Sequence, residues 1–151
     1  MRASWAALHE AGLPSQLDHR GETNAVHLTV VAAPALTDEV VEGASRLLGP
    51  LLPCTVRASG LLLLGGSRVT LARAVDVDDD TLRAVLDIRS RVPGRQHPGW
   101  LPHLTLARRL PRDRVQEAVD VLGWDDVELT LVELRRWDPD AGTVTPVVCA
   151  P

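Results

Sequence analysis

The sequence predicts an α+β fold made of two similar halves within one domain. Both halves show the same order of elements: a helix, a strand with a His-Leu-Thr motif, a second helix and a second strand. The two motifs begin 76 positions apart, at His27 and His103. Gly65-Gly66 separates two strand-like segments and predicts a hairpin. A chain of 151 residues, 45% of them hydrophobic, is long enough for one domain with a core.

Turn residues and β-branched side chains define the elements of the first half. Thr37 is a favoured N-cap residue and precedes two acidic residues, whereas Pro34 ends a segment rich in Val and Thr. The predicted elements are a helix over residues 3–11, a polar loop over 15–24, a strand over 25–33, a helix over 37–48, and strands over 55–64 and 67–75.

The second half repeats this order and adds an edge strand. Its predicted elements are a helix from Asp79 or Asp80 to about residue 91, a loop over 92–100, a strand over 101–108, a helix over 111–122, and strands over 127–137 and 143–149. The pseudo-repeats cover about residues 1–64 and 67–137. The strand over 67–75 has no counterpart before the first helix, so one sheet is expected to be a strand short. No linker separates the halves, which indicates two lobes of a single domain over 1–151.

The charge of the chain argues against binding of long duplex nucleic acid. The net charge is −4, whereas such binding usually needs a basic surface. All sixteen basic residues are Arg, and seven of them fall between residues 89 and 114 with only Asp113 as a counter-charge: Arg89, Arg91, Arg95, Arg108, Arg109, Arg112 and Arg114. This cluster suits a small anionic ligand, and ordinary solvated surface is the alternative.

Other sequence features limit the class of protein. Cys54 and Cys149 lie far apart without metal-ligand spacing, so free thiols are expected. The N-terminus lacks the apolar stretch of a signal peptide, and the longest apolar run, 61–64, is too short for a membrane span, which favours the cytoplasm. No third ligand is suitably spaced from either motif histidine, so we expect neither a metal nor another cofactor.

The two His-Leu-Thr motifs are the candidate catalytic residues. In a strand, residues i and i+2 face the same side, so His27 would stand beside Thr29 and His103 beside Thr105. If the repeat brings the strands together, two imidazole–hydroxyl pairs face each other. One imidazole then removes a proton while the other donates one, and the hydroxyls bind phosphate oxygens. A neutral and a protonated histidine predict a bell-shaped pH–rate profile.

These motifs resemble the signature of the two-histidine phosphoesterase superfamily, which includes 2′-5′ RNA ligase-like proteins and cyclic phosphodiesterases. Residues 97–107, HPGWLPHLTLA, are similar to the second motif, and residues 5–15, which end in Ala-Gly-Leu-Pro-Ser, are similar to the opening of bacterial members. The resemblance implies a bilobal fold with a central groove and two antiparallel sheets flanked by helices. It also implies opening of a 2′,3′-cyclic phosphate to a 2′-phosphate, with His27 and His103 as acid and base and Thr29 and Thr105 as phosphate ligands. Members usually begin with a strand, which this chain lacks before its first helix.

Additional residues are weaker candidates. Arg108 follows the second motif, where relatives commonly carry Arg, and would bind phosphate. Strand parity places it on the face away from His103, unless the strand ends before it. Trp100 would stack on a base or pack at a lobe edge. His97, and His19 with Arg20, would lie in loops near the substrate or in solvent, and His9 on a helix surface.

The predicted function is metal-independent opening of a 2′,3′-cyclic phosphate on a small cyclic nucleotide or an RNA terminus by a monomeric protein. The reverse reaction, 2′-5′ ligation, uses the same residues. Two alternatives remain: a non-catalytic protein that binds RNA ends or nucleotides, which would show saturable binding without product, and a structural protein in which the motifs occur by chance.

Overall fold

The computed structural model describes residues 1–19, 21 and 23–150. Within these residues the helices are α1 (Arg2–Glu10), α2 (Asp38–Leu48), α3 (Asp79–Ser90) and α4 (Val115–Leu122). The strands are β1 (Cys54–Gly65), β2 (Arg68–Asp76), β3 (His103–Pro111), β4 (Val127–Leu131), β5 (Glu133–Asp138) and β6 (Thr143–Cys149). Short 3₁₀ turns cover Gln16–Asp18, Gly49–Leu51 and Arg112–Arg114.

The strands form two antiparallel sheets, so the predicted α+β class is confirmed. One sheet has four strands in the order β3-β2-β1-β4, and the other pairs β5 with β6. The predicted hairpin at Gly65-Gly66 joins β1 to β2, with Gly65 opposite Val69. The edge position of β3 in the larger sheet leaves one side of its backbone to partners outside the sheet.

The chain divides into two compact units, each assembled from three segments. One unit contains Met1–Leu28, Arg57–Asp76 and His103–Val127; the other contains Thr29–Val56, Val77–Pro102 and the chain from Glu128 onward. In the first unit, α1 and α4 cover a core that comprises Trp5, Leu8, Leu13, Val69, Leu71, Leu106, Ala107, Leu110 and Ala118. In the second unit, α2 and α3 pack together through Ala44, Leu48, Ala84, Val85 and Ile88.

Side-chain caps begin α2 and α3, and the one on α2 is the predicted cap. The Thr37 hydroxyl accepts from the Val40 N–H at 3.4 Å, as the sequence indicates. Asp78 caps α3 by accepting from the Thr81 N–H at 2.8 Å and from its hydroxyl at 2.7 Å. Both cysteines are free, Cys54 buried and Cys149 exposed, which confirms the expectation for the thiols.

Three predicted elements are wrong. Residues 25–33 form no strand, because their backbone groups bond to side chains and to a loop rather than to a neighbouring strand. The strand predicted over 127–137 is two strands in different sheets, separated at Val132, whose carbonyl accepts from the Ala150 N–H at 2.7 Å. The helix predicted from Pro111 begins at Val115, since Pro111 ends β3 and a 3₁₀ turn follows.

No helix in the described part of the chain is both long enough and apolar enough to cross a membrane.

Candidate active site

The second motif lies on a regular part of β3. Leu104 and Leu106 are buried in the sheet, whereas His103 and Thr105 are half-buried. Alternate residues of a strand face opposite sides, so the imidazole and the hydroxyl project from the same face. The structure therefore confirms the predicted side-by-side arrangement of His103 and Thr105.

Small side chains lie opposite both residues on the neighbouring strand. His103 is paired with Ala74 of β2, and Thr105 is paired with Ala72. Directly opposed residues of an antiparallel pair project from the same face of the sheet. On this face the two alanines carry only methyl groups beside the imidazole and the hydroxyl.

The first motif has a different backbone but a similar pattern of exposure. His27 and Thr29 are exposed, whereas Leu28 and Val30 are half-buried, although the segment is not a strand. The residues on either side of the motif are anchored by packing: Val26 contacts the core of one unit and Val30 that of the other. Burial of the intervening apolar residues thus keeps His27 and Thr29 in solvent without a sheet.

A hydrogen bond defines the tautomer of His27. Its Nδ1 lies 2.8 Å from the carbonyl oxygen of Ala25. Because a carbonyl oxygen only accepts hydrogen bonds, Nδ1 must carry a proton in both the neutral and the charged ring. In the neutral ring Nε2 of His27 is therefore the nitrogen without a proton.

Three of the four motif residues belong to one compact unit. His27, His103 and Thr105 lie in the unit that contains α1 and α4, whereas Thr29 is the first residue of the other unit. The facing of the two motifs across a groove stays a prediction from the repeat.

Two tryptophan side chains hold the backbone of the motif threonines. The indole N–H of Trp5 in α1 donates to the carbonyl oxygen of Thr105 at 3.0 Å. The indole N–H of Trp100 donates to the carbonyl oxygen of Thr29 at 2.8 Å. The two bonds are crossed in sequence. Trp5, near the start of the chain, bonds to the second motif, whereas Trp100, just before the second motif, bonds to the first. Trp100 also packs against the core of its unit, in line with the packing alternative for this residue.

Arg89 in α3 makes three bonds to backbone carbonyl oxygens. Its side chain donates to Val30 at 2.7 Å, to His97 at 2.5 Å and to Gly99 at 2.6 Å. The residue is only 6% exposed. Burial lowers the pKa of its guanidinium from the ordinary value, and the charge of Arg95 lowers this pKa further. Arg89 is therefore a structural cation rather than part of a surface patch.

Irregularities in β3 change the side on which Arg108 lies. Between Thr105 and Ala107 the strand gains one residue relative to β2, and Ala107 is buried opposite Leu71. The parity is thereby inverted, so Arg108 is exposed and falls on the face of Thr105. The expectation that Arg108 lies on the face away from His103 is wrong, because strand parity assumes an unbroken register. A second irregularity follows at Arg109, whose φ is 58°.

Several other arginines of the sequence cluster form internal contacts. Arg91 pairs with Asp87 at 2.8 Å, and Arg114 pairs with Glu117 at 2.7 Å. Arg112 donates to the carbonyl oxygen of Gly66 at 3.0 Å. In contrast, the described residues provide neither a hydrogen-bond nor an ion-pair partner for Arg108. Arg108 and the neighbouring Arg109 are both exposed, and Arg108 is the one that follows the second motif directly.

The remaining histidines lie apart from these contacts. His97 and His19 are exposed in loops, and His9 on α1 pairs with Asp18 at 2.9 Å. Arg20 lies outside the described residues. Over residues 1–19, 21 and 23–150, no three His, Cys, Asp or Glu side chains are grouped so that they could hold a metal ion. A cleft of about 530 Å³ between α2 and the β5–β6 sheet is lined by other residues, including Glu42, Ser45 and Arg136.

Trp5 and Arg89 are contributors that the sequence did not reveal. Trp5 was placed in a helix, but its partner lies 100 residues away, and no local pattern marks such a pair. The partners of Arg89 lie up to 59 residues away, and its charge suggested a surface position. One signal was available: Arg89 lies at helical spacing from the buried residues of α3, so the inward-facing side of this helix includes position 89.

Comparison with known protein families agrees with these motifs. The family model described as 2'-5' RNA ligase superfamily matches residues 2–143. The chain therefore belongs to the 2′-5′ RNA ligase superfamily, which is the two-histidine phosphoesterase superfamily, and the resemblance seen in the sequence is confirmed. Membership supports an enzyme of the phosphoesterase or ligase type. No curated protein matches the chain.

Proposed function

We propose that this protein opens a 2′,3′-cyclic phosphate on a nucleotide or an RNA end to give a 2′-phosphate. The observation that carries the proposal is the placement of His103 and Thr105 on one face of β3 opposite small side chains. Superfamily membership and the matching exposure of His27 and Thr29 support it.

The reaction requires one base and one acid. The base takes a proton from water as the water oxygen bonds to phosphorus, and the bond from phosphorus to O3′ breaks. The acid gives its proton to O3′, which leaves as a hydroxyl, and the product keeps the phosphate on O2′. Two imidazoles supply both functions near neutral pH without a metal ion.

His27 and His103 are the proposed proton carriers. For His27 the reacting atom is Nε2, because Nδ1–H donates to the Ala25 carbonyl oxygen. This bond also orients the ring. The proposal needs Nε2 of His27 on one side of the phosphorus and His103 on the other, as in-line displacement demands.

Thr29, Thr105 and Arg108 are the proposed phosphate ligands. The threonine hydroxyls donate to the non-bridging oxygens, whose charge must be stabilised during transfer. Arg108 is exposed on the face of Thr105, and a guanidinium can bind two phosphate oxygens at once. The ring of Trp100 is a secondary candidate for stacking on the base, in addition to its bond to Thr29 and its packing against the core.

Product analysis tests the proposal. The purified protein is incubated with 2′,3′-cyclic AMP, GMP, CMP and UMP in the presence of EDTA, and the products are separated by liquid chromatography. We expect a nucleoside 2′-phosphate and no 3′-phosphate. An inactive protein across all four nucleotides and an RNA with a cyclic phosphate end would refute the assignment.

Ligation opens the same cyclic phosphate with the 5′-hydroxyl of a second RNA in place of water, and it is measured with the same protein. The superfamily description names 2'-5' RNA ligase, so an RNA with a 2′,3′-cyclic phosphate and one with a 5′-hydroxyl are supplied together. We expect hydrolysis to dominate, because water at about 55 M competes with a dilute hydroxyl end. A 2′-5′ linked product that exceeds the 2′-phosphate would assign ligation as the main activity.

A further inference from the structure

The segment that carries the first motif obtains its hydrogen bonds from elsewhere. It is not a strand, yet its carbonyl groups at Thr29, Val30 and Ala32 all have donors. These donors are the indole N–H of Trp100, the guanidinium of Arg89 and the N–H of Gln96. In contrast, the backbone of the second motif is held by its pairing with β2 in the sheet.

Two of these three donors belong to the loop that precedes the second motif. That loop is attached to α3 by Arg89, which also donates to the carbonyl oxygens of His97 and Gly99. Arg89 thus bonds both to the motif segment and to the loop that supplies its other donors. We call this group, formed by Arg89, Gln96 and Trp100 with their carbonyl acceptors, the carbonyl clamp.

The chemistry of Arg89 suits a clamp better than a binding site. Its planar guanidinium presents donors in fixed directions and reaches three carbonyl oxygens at 2.5–2.7 Å. Among the described residues no carboxylate forms an ion pair with Arg89. Its buried charge is therefore stabilised by the dipoles of the carbonyl groups. A lysine ammonium is a compact point charge on a flexible stem and cannot reproduce these directions.

From these contacts we propose that Arg89 is the positioning residue for the first motif. By holding Val30 directly and Thr29 through the loop that carries Trp100, it determines where the Thr29 hydroxyl is placed. The catalytic part of this inference rests on the proposed function. The structural part, that Arg89 orders the segment from Thr29 to Ala32, does not.

The tests are Arg89→Lys and Arg89→Met, with Arg91→Met as the matched control. Arg91 lies two positions further along the chain and pairs with Asp87 on the surface at 64% side-chain exposure. Indole N–H signals in a ¹H–¹⁵N spectrum report on the four tryptophans separately. We expect the Trp100 signal to shift or broaden in both Arg89 variants, while the Trp5 signal stays in place because its Thr105 bond belongs to the other unit.

Steady-state kinetics provide the second readout. We expect kcat to fall about 10- to 100-fold in Arg89→Lys with KM changed less than about threefold, because small displacements of catalytic groups affect the transition state most. Arg91→Met should retain wild-type kcat.

The outcomes separate this inference from the proposed function. An unchanged Trp100 signal in Arg89→Lys would overturn the clamp, and so would an equal loss of all four indole signals in both variants, which would mark Arg89 as a general folding residue. A shifted Trp100 signal with unchanged kcat would overturn the positioning role. If the wild-type protein has no turnover, the proposed function fails, while the indole signals still decide whether Arg89 orders the segment.

Discussion

The indole N–H of Trp5 donates to the backbone carbonyl oxygen of Thr105, 3.0 Å away and 100 residues further along the chain. β3 is the edge strand of its sheet, so such carbonyl groups need partners outside the ladder. The ring is 2% exposed and belongs to the core under α1. One side chain therefore joins the first helix, the core and the second motif.

Trp5→Phe should destabilise the protein by about 2–4 kcal/mol. The change leaves the Thr105 carbonyl without its donor and opens a cavity where the larger ring was. Urea unfolding followed by circular dichroism measures the effect. Trp124→Phe is the control, because Trp124 is 73% exposed and should change stability by less than about 0.5 kcal/mol. Equal effects of the two substitutions would mean that the Trp5 contact contributes nothing specific.

Arg73→Met should stabilise the protein by about 1–3 kcal/mol. Arg73 lies on β2 opposite Leu104 and is 2% exposed, and its Nε and Nη1 have no hydrogen-bond partner among the described residues. Methionine fills a similar volume without a buried, unpaired charge. Thermal and urea unfolding measure the change, with the exposed Arg83→Met as control. A loss of stability would show that the Arg73 charge has a stabilising partner.

Asp78→Ala should lower the free energy of unfolding by about 1 kcal/mol, because α3 loses its N-cap. The control is Asp125→Ala, since Asp125 is exposed outside the helices. Because α3 carries Arg89, this substitution also loosens the base of the carbonyl clamp. Equal unfolding midpoints for the two variants would contradict the capping role.

The loss of stability caused by Asp78→Ala should depend on pH in a defined direction. The Thr81 backbone N–H and the Thr81 hydroxyl hold the pKa of Asp78 below its ordinary value. A carboxyl whose folded-state pKa is lowered contributes stability above its unfolded pKa of about 3.9 and loses it as the pH falls through the folded value. The difference between wild type and Asp78→Ala should therefore be constant above about pH 5 and shrink below about pH 4. A difference that grows on acidification would reverse this sign.

Arg108→Ala should lower kcat/KM about 10- to 100-fold, mainly through KM. A charge-assisted bond from Arg108 to a phosphate oxygen contributes to substrate binding, and alanine removes it. Arg108→Lys should restore part of the loss, because it keeps the charge but not the paired geometry. Arg46→Ala on the exposed side of α2 is the control. Wild-type KM in Arg108→Ala would exclude this residue from the site.

Local patterns predicted much of this fold. The hairpin at Gly65-Gly66, the Thr37 cap and the strand of the second motif all depend on residues close together in sequence. The strand predicted for the first motif was wrong, because β-branched residues favour an extended, half-buried segment whether or not a neighbouring strand is there to pair with it. Val30 is half-buried against the core of its unit, yet its carbonyl oxygen bonds to Arg89.

The site required more than local patterns. The face of Arg108 depends on an inserted residue in β3, which the sequence of that strand does not reveal. The roles of Trp5 and Arg89 depend on acceptors 100 and 59 residues away. Distant contacts of this kind follow from tertiary packing, whereas the paired His and Thr residues follow from the motif itself.

The central claim is that His27 and His103 carry the protons of one reaction. The most direct measurement is kcat/KM for His27→Ala and His103→Ala on a 2′,3′-cyclic nucleotide that the wild type turns over, with His9→Ala as control on the surface of α1. Loss of a general acid or base predicts a decrease of about 10²–10⁴-fold for each motif variant and an unchanged value for His9→Ala. Full activity in either motif variant would contradict the account.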